Sequence, residues 1–316
     1  MENKKLLYAI ITYLIIGVNL KIFSQEKNIS IIVKRNNDKS VDISYTKKVP
    51  GSYYLKLELI NLTNSYSNGY NGVINSYRGN LLHLKPINNK SSINFSYTFS
   101  YTMGNNKAKI DSLFTYTLPI KKGKKVKIYE ASFLGERYFG SEKPLNWKSY
   151  AIRSKEPDTI FAMRKGIVVK IVDDFEGNSS PEIAYTSKRN YIVVEHDDGS
   201  YASYKGLNKN TLFVKLGQTV YPHSKIGILE NFGGDYYKLD FSIYQLFFTD
   251  LNRKNQTLKS QNSGLKYITP YFLTNKGVVI LENNNEYISE LNETILFEEF
   301  SKREIKKYLK NPNDFK

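Results

Sequence analysis

The most chemically suggestive spacing in this 316-residue chain is Lys238-Leu239-Asp240-Phe241-Ser242-Ile243. Polar residues at 238, 240 and 242 alternate with apolar ones at 239, 241 and 243, the period of a strand with one wet and one dry face. Lys238 and Asp240 therefore share a face. An amine and a carboxylate so placed can bind a ligand or pair with each other. They cannot hold a catalytic zinc alone, which takes about three N, O or S ligands and an open position for water. The chain has no cysteine and three histidines. His83 lies in the apolar run Leu81-Leu82-His83-Leu84, His196 precedes a hairpin turn, and His223 follows Pro222. None stands at ligand spacing, and a scattered histidine is ordinarily a hydrogen-bonded structural residue. No metal, cofactor or catalytic residue is expected.

The elements that would position these residues read as strands. Between 29 and 120, short alternating runs such as Ile29-Ser30-Ile31-Ile32-Val33-Lys34 and Tyr53-Tyr54-Leu55-Lys56-Leu57-Glu58-Leu59 are separated by Asn, Gly and Ser clusters. That pattern predicts a β-sandwich, because isolated hairpins bury too little apolar surface. In Ile93-Asn94-Phe95-Ser96-Tyr97-Thr98-Phe99-Ser100-Tyr101 the aromatics share one face, predicted to pack in the core. Asp197-Asp198-Gly199-Ser200 between two apolar runs predicts a hairpin turn, with glycine supplying positive φ. Towards the end, Tyr271 to Ile280 predicts a hairpin, followed by Glu286-Tyr287-Ile288. Ser301-Lys302-Arg303-Glu304 has the spacing of a capping box, which predicts a helix through about Leu309.

Several ordered fragments resemble the lysostaphin/LytM-type zinc peptidases, which are peptidoglycan endopeptidases. Asp158-Thr159-Ile160-Phe161-Ala162-Met163-Arg164-Lys165-Gly166-Ile167-Val168-Val169 is similar to the family's Gly-Thr-Pro-Val-x-Ala-x-x-x-Gly-x-Val. The run from Tyr191 to Leu207 is similar to the hairpin that ends Tyr-x-His-Leu, and Val214-Lys215-Leu216-Gly217-Gln218-Thr219-Val220 and Ile226-Gly227 resemble Val-x-x-Gly-Gln-x-Val and Ile-Gly. Lys238 to Ile243 stands where the family has His-Leu-His-Phe-Glu-Val. Tyr116-Thr117-Leu118-Pro119-Ile120 and the lysines after it resemble the segment by which secreted relatives enter the peptidase fold.

In that family a His, an Asp and the second His of His-x-His hold zinc, while the first His of the pair and the His of Tyr-x-His-Leu handle the attacking water. By the resemblance, the second His falls on Asp240, the first on Lys238, and the Tyr-x-His histidine on Gly206. The Asp falls on Arg153 or, counting back from Ala162 without gaps, on Ala151. The remaining His falls between Phe139 and Trp147, which contain none. No position keeps its residue. Arg153, Gly206, Lys238 and Asp240 are therefore former-site positions, open to binding rather than catalysis, with Arg153 expected to face Asp240 across the old pocket. Zinc belongs only to the alternative reading, an active metalloendopeptidase on peptidoglycan.

The N-terminus reads as a signal peptide: Lys4 and Lys5, the apolar run Leu6 to Leu20, then Phe23-Ser24-Gln25. The run is short for a spanning helix, so no membrane anchor is expected after cleavage near Ser24. A lipoprotein anchor would need cysteine. The net charge of +16 suggests attraction to polyanions such as envelope polysaccharide. No basic run interleaved with aromatics appears, and nucleic acid is not an expected partner. The expectation is an all-β, secreted or periplasmic protein: signal peptide 1–24, β-sandwich 25–120, degenerate LytM-type antiparallel sheet domain 121–250, and C-terminal hairpin and short helix 251–316. Its expected role is non-catalytic: binding cell-wall peptide or glycan, with peptidoglycan or another anionic envelope polymer as partner, or regulating an envelope protein partner.

Overall fold

The computed structural model describes residues 28–105, 107–133, 136, 140, 143–176, 188–246 and 264–315. The signal peptide expected over 1–24 lies outside them. The first six strands are β1 (Ile29–Arg35), β2 (Val41–Lys47), β3 (Tyr53–Thr63), β4 (Tyr70–Ile74), β5 (Arg78–Leu84) and β6 (Asn94–Met103). They form two three-stranded antiparallel sheets, ordered β1-β2-β5 and β4-β3-β6. Ile29, Ile43, Leu55, Leu57, Leu84 and Ile93 close the space between the sheets, the arrangement the alternating pattern predicts. Phe95, Phe99 and Tyr101 pack partly into this core, while Tyr97 stays exposed.

The next strands are β7 (Thr115–Thr117), β8 (Lys125–Glu130), β9 (Tyr150–Ser154), β10 (Thr159–Phe161), β11 (Gly166–Val172), β12 (Asn190–Glu195) and β13 (Ser200–Leu207). Then come β14 (Thr219–Val220), β15 (Lys225–Ile228), β16 (Asn231–Phe232), β17 (Tyr236–Leu246), β18 (Leu265–Ile268), β19 (Tyr271–Thr274), β20 (Gly277–Ile280) and β21 (Glu286–Ile288). A 10-stranded sheet runs β14-β11-β12-β13-β17-β9-β8-β21, with β16 and β18 also paired to β17. Its centre is β17, the strand that carries Lys238 and Asp240. The dry face predicted for Leu239, Phe241 and Ile243 is buried, packed with Ile152, Tyr150, Tyr204, Ile192 and Phe272. The turn predicted at 197–200 joins β12 to β13, and Gly199 has φ +83°.

The C-terminal stretch adds to the same body. The hairpin β19–β20 forms as predicted, and β19 pairs in parallel with β7 while β21 pairs with β8. A short helix α1 (Glu293–Phe297) precedes α2 (Lys302–Lys310). Ser301 and Glu304 cap α2 reciprocally, as their spacing predicts.

The N-terminal sandwich covers one end of the sheet's wet face. Ser52 N–H donates to Glu195 Oε2 at 2.8 Å, and Met103 packs against Val169, Val193 and Tyr201. The end that carries Arg153, Lys205, Lys238 and Asp240 lies beyond this cover.

Candidate functional site

Strand pairing sets the geometry. On one side of β17, Lys238 lies opposite Arg153 and Asp240 opposite Ala151; on the other, Asp240 lies opposite Lys205. Residues paired across antiparallel strands point to the same face, so Arg153, Lys238, Asp240 and Lys205 share the wet side of three adjacent strands. Of the two positions offered for the family's Asp, the one directly opposite Asp240 is Ala151.

The pair expected between Arg153 and Asp240 is not the one that forms. Asp240 Oδ2 accepts from Arg189 Nη1, and Asp240 Oδ1 lies 3.1 Å from Lys238 Nζ. Arg189 also donates from Nε to Glu230 Oε1 and from Nη2 to the Lys238 carbonyl at 2.6 Å. Arg153 is exposed instead, with its guanidinium carbon 4.9 Å from the ring centres of both Tyr129 and Tyr236. The physical reason is reach and burial. Arg189 and Glu230 are 3% and 4% exposed, and a buried carboxylate needs a buried counter-charge; Arg153, at the rim, has ring faces within reach.

Gly206 explains how Arg189 enters. Its φ is +109°, and a Cβ there would fall well inside van der Waals contact with Arg189 Nη2 and the Lys238 carbonyl. The guanidinium thus occupies the space that a side chain at 206 would need. Glu230 N–H donates to the Gly206 carbonyl at 2.9 Å, which fixes the second carboxylate beside the same gap. Phe232 roofs the cluster, its ring centre 5.0 Å from Arg189 Cζ and 5.2 Å from Lys238 Nζ.

The electrostatics follow from crowding. Burial raises the Glu230 carboxyl above its ordinary range, opposed by the Arg189 charge. Burial lowers the Lys205 amine, as does the neighbouring Arg189 cation, while Asp240 and Glu230 pull it back. Such a site can hold and orient charge. It is a poor fit for zinc, since both Asp240 oxygens already face cations and Gly206 offers no donor. Among the described residues no group of three His, Cys, Asp or Glu is placed to hold a metal. The three histidines serve elsewhere. His83 Nδ1 meets Asp42 at 2.6 Å, His196 Nδ1 donates to the Lys165 carbonyl at 2.8 Å, and His223 lies against Phe161.

No family model and no curated protein matches this chain. Solved structures do. The chain is similar to M23-type peptidases. The M23 metalloprotease pseudoalterin, a deep-sea protein, is 19% identical over 57% of this chain and 92% of its own, with a TM-score of 0.30. A glycyl-glycine endopeptidase LytM from Ruminococcus gnavus is 15% identical over 44% of this chain and 55% of its own, at 0.28. The SpoIIQ–SpoIIIAH pore-forming complex matches at 20% identity over 42% of this chain and 85% of that chain, at 0.26. At these identities the likeness concerns the fold alone.

Two site residues, Arg189 and Glu230, escape the sequence reading. Neither lies in an alternating run, and their partners are 41 and 51 positions from Arg189. The available signal was Gly206 itself: interiors are close-packed, so a glycine in a strand among bulky neighbours calls for a filler from elsewhere.

Proposed function

We propose that this chain is a secreted or periplasmic LytM-like protein without peptidase chemistry, which binds a cell-envelope component at the former metal pocket. The ligand class that fits this reading is cell-wall peptide or glycan, or an envelope protein held on the same face. One observation carries it: the Arg189 guanidinium fills the gap above Gly206 and binds Glu230 and Asp240. A peptidase of this kind needs a metal-bound water to act as nucleophile, whereas the carboxylates on this face are taken up by a fixed cation. What remains is a polar face of converging charges, suited to holding a ligand's polar groups.

Among the described residues no helix is long and apolar enough to cross a membrane. Export is tested by terminal sequencing of the protein recovered from outside the cytoplasm, expected to begin near Gln25. The central test is direct. Purified protein is expected to carry far less than one zinc per chain, to co-sediment with peptidoglycan, and to leave its cross-links uncut. Stoichiometric, chelator-removable zinc together with cleavage would overturn the proposal.

A further inference from the structure

Resting on that binding role, we propose that this face of the sheet selects a peptide segment carrying at least two carboxylates, read by Arg153 and Lys205. Four cations, Arg153, Arg189, Lys205 and Lys238, meet two carboxylates, Glu230 and Asp240, on this face. Arg189 takes both acids and Lys238 shares Asp240. Among the described residues Arg153 and Lys205 have no ion-pair partner.

These two cations differ from ordinary surface lysines. Arg153 is held between the rings of Tyr129 and Tyr236, which orients its planar fork without neutralising it. Lys205 sits half-buried at the centre of the sheet, beside an Asp240 whose oxygens face other cations, so no carboxylate meets its amine directly. A ligand's carboxylate would supply that contact.

Spacing decides the size of the ligand. Arg153 and Lys205 stand on β9 and β13, which flank β17 on opposite sides. That is two strand spacings across and two residues along, roughly 12 Å between backbones, which suits two carboxylates better than one. Acidic side chains four apart in an extended peptide share a face and span roughly 13 Å at ~3.3 Å per residue. A sugar finds less here, because the rings at the rim already face cations: Tyr129 and Tyr236 face Arg153, and Phe232 faces Arg189 and Lys238.

The test uses the full chain and a fluorescein-labelled peptide of sequence Glu-Ser-Ser-Ser-Glu-Ser-Ser-Ser-Glu, with a glutamine counterpart, followed by anisotropy at physiological salt. The glutamate peptide is expected to bind and the glutamine peptide not. Arg153→Gln and Lys205→Met are each expected to weaken binding about tenfold, the loss of one charge-assisted contact. Lys90→Gln, on the exposed surface of the sandwich, is the charge control and is expected to change nothing. Thermal melts establish that each variant is folded. Equal binding of both peptides, equal weakening by Lys90→Gln, or no binding by the intact chain would each overturn the proposal. If the intact chain ignores the peptide yet still co-sediments with peptidoglycan, the acidic-peptide specificity falls while the binding role stands.

Discussion

Arg164 and Arg189 are each 3% exposed and each bridges two carboxylates, but what they join differs. Arg164 takes Asp198 from the β12–β13 turn at 2.9 Å and Glu299 from the C-terminal segment at 2.7 Å, with Tyr116 Oη at 3.1 Å. Next to it, Lys165 Nζ donates to Glu304 Oε2 at 2.9 Å and to the Glu299 carbonyl at 2.8 Å. This cluster staples residues 135 positions apart and displaces nothing. Arg189 joins Glu230 and Asp240 on the sheet's own face, and it does so in space that Gly206 leaves open. The same ion-pair chemistry is a fastener in one place and a plug in the other. What distinguishes them is the residue whose volume each guanidinium takes.

The comparison breaks most sharply at Arg189. Arg189→Met leaves Glu230 buried without its counter-charge and is expected to lower unfolding free energy by about 3–5 kcal/mol. Arg189→Met with Glu230→Gln should recover part of that loss in a double-mutant cycle by chemical denaturation; strict additivity would show the two do not act as a unit.

Arg164→Met is expected to cost about 3 kcal/mol, less than Arg189 because Glu299 is 16% exposed against 4% for Glu230. It should also raise hydrogen exchange in α1 and α2, which the Arg189 variant should leave alone. Equal exchange in both variants would erase the distinction between staple and plug.

Gly206→Ala is expected to cost about 1–3 kcal/mol from its backbone conformation alone, and more from collision with Arg189. In an Arg189→Met background the collision is relieved and only the backbone cost remains. Urea titrations of both backgrounds measure the difference. An identical cost in each would mean that the guanidinium is not what keeps position 206 a glycine.

The staple region carries a pH signature of its own. Burial, and then the Arg164 charge, push His196 down to about 3. The unfolded chain takes up a proton near 6.5 whereas the folded one stays neutral until about 3, so this group's stability is full above about 6.5 and drains as pH falls. Between pH 6.5 and 5.5 the loss should be about 1 kcal/mol, and His196→Asn should flatten that slope. An unchanged slope would assign the acid sensitivity to other groups.

The smallest effect is expected at Arg153. Arg153→Gln removes an exposed charge between two rings and should change stability by less than about 1 kcal/mol. A loss as large as that of Arg189→Met would place Arg153 in the structural cluster rather than at the rim.

Much of this was legible without coordinates. The two-residue alternation at 238–243 gave the wet and dry faces of β17, because side chains of a strand must alternate and the dry set must find a core. The turn at 197–200 and the capping box at 301–304 were equally local. The loss of every histidine the LytM resemblance would require was visible by inspection. What the chain alone did not decide was which cation would answer Asp240. Strand register put Arg153 on the correct face, opposite Lys238, but pairing is settled by burial and distance among residues far apart in sequence. Arg189 reaches inward because Gly206 offers room and Glu230 waits there; Arg153 lies outward because two tyrosines flank it. Local periodicity determined where side chains point, whereas only the packed structure decided which of them meet.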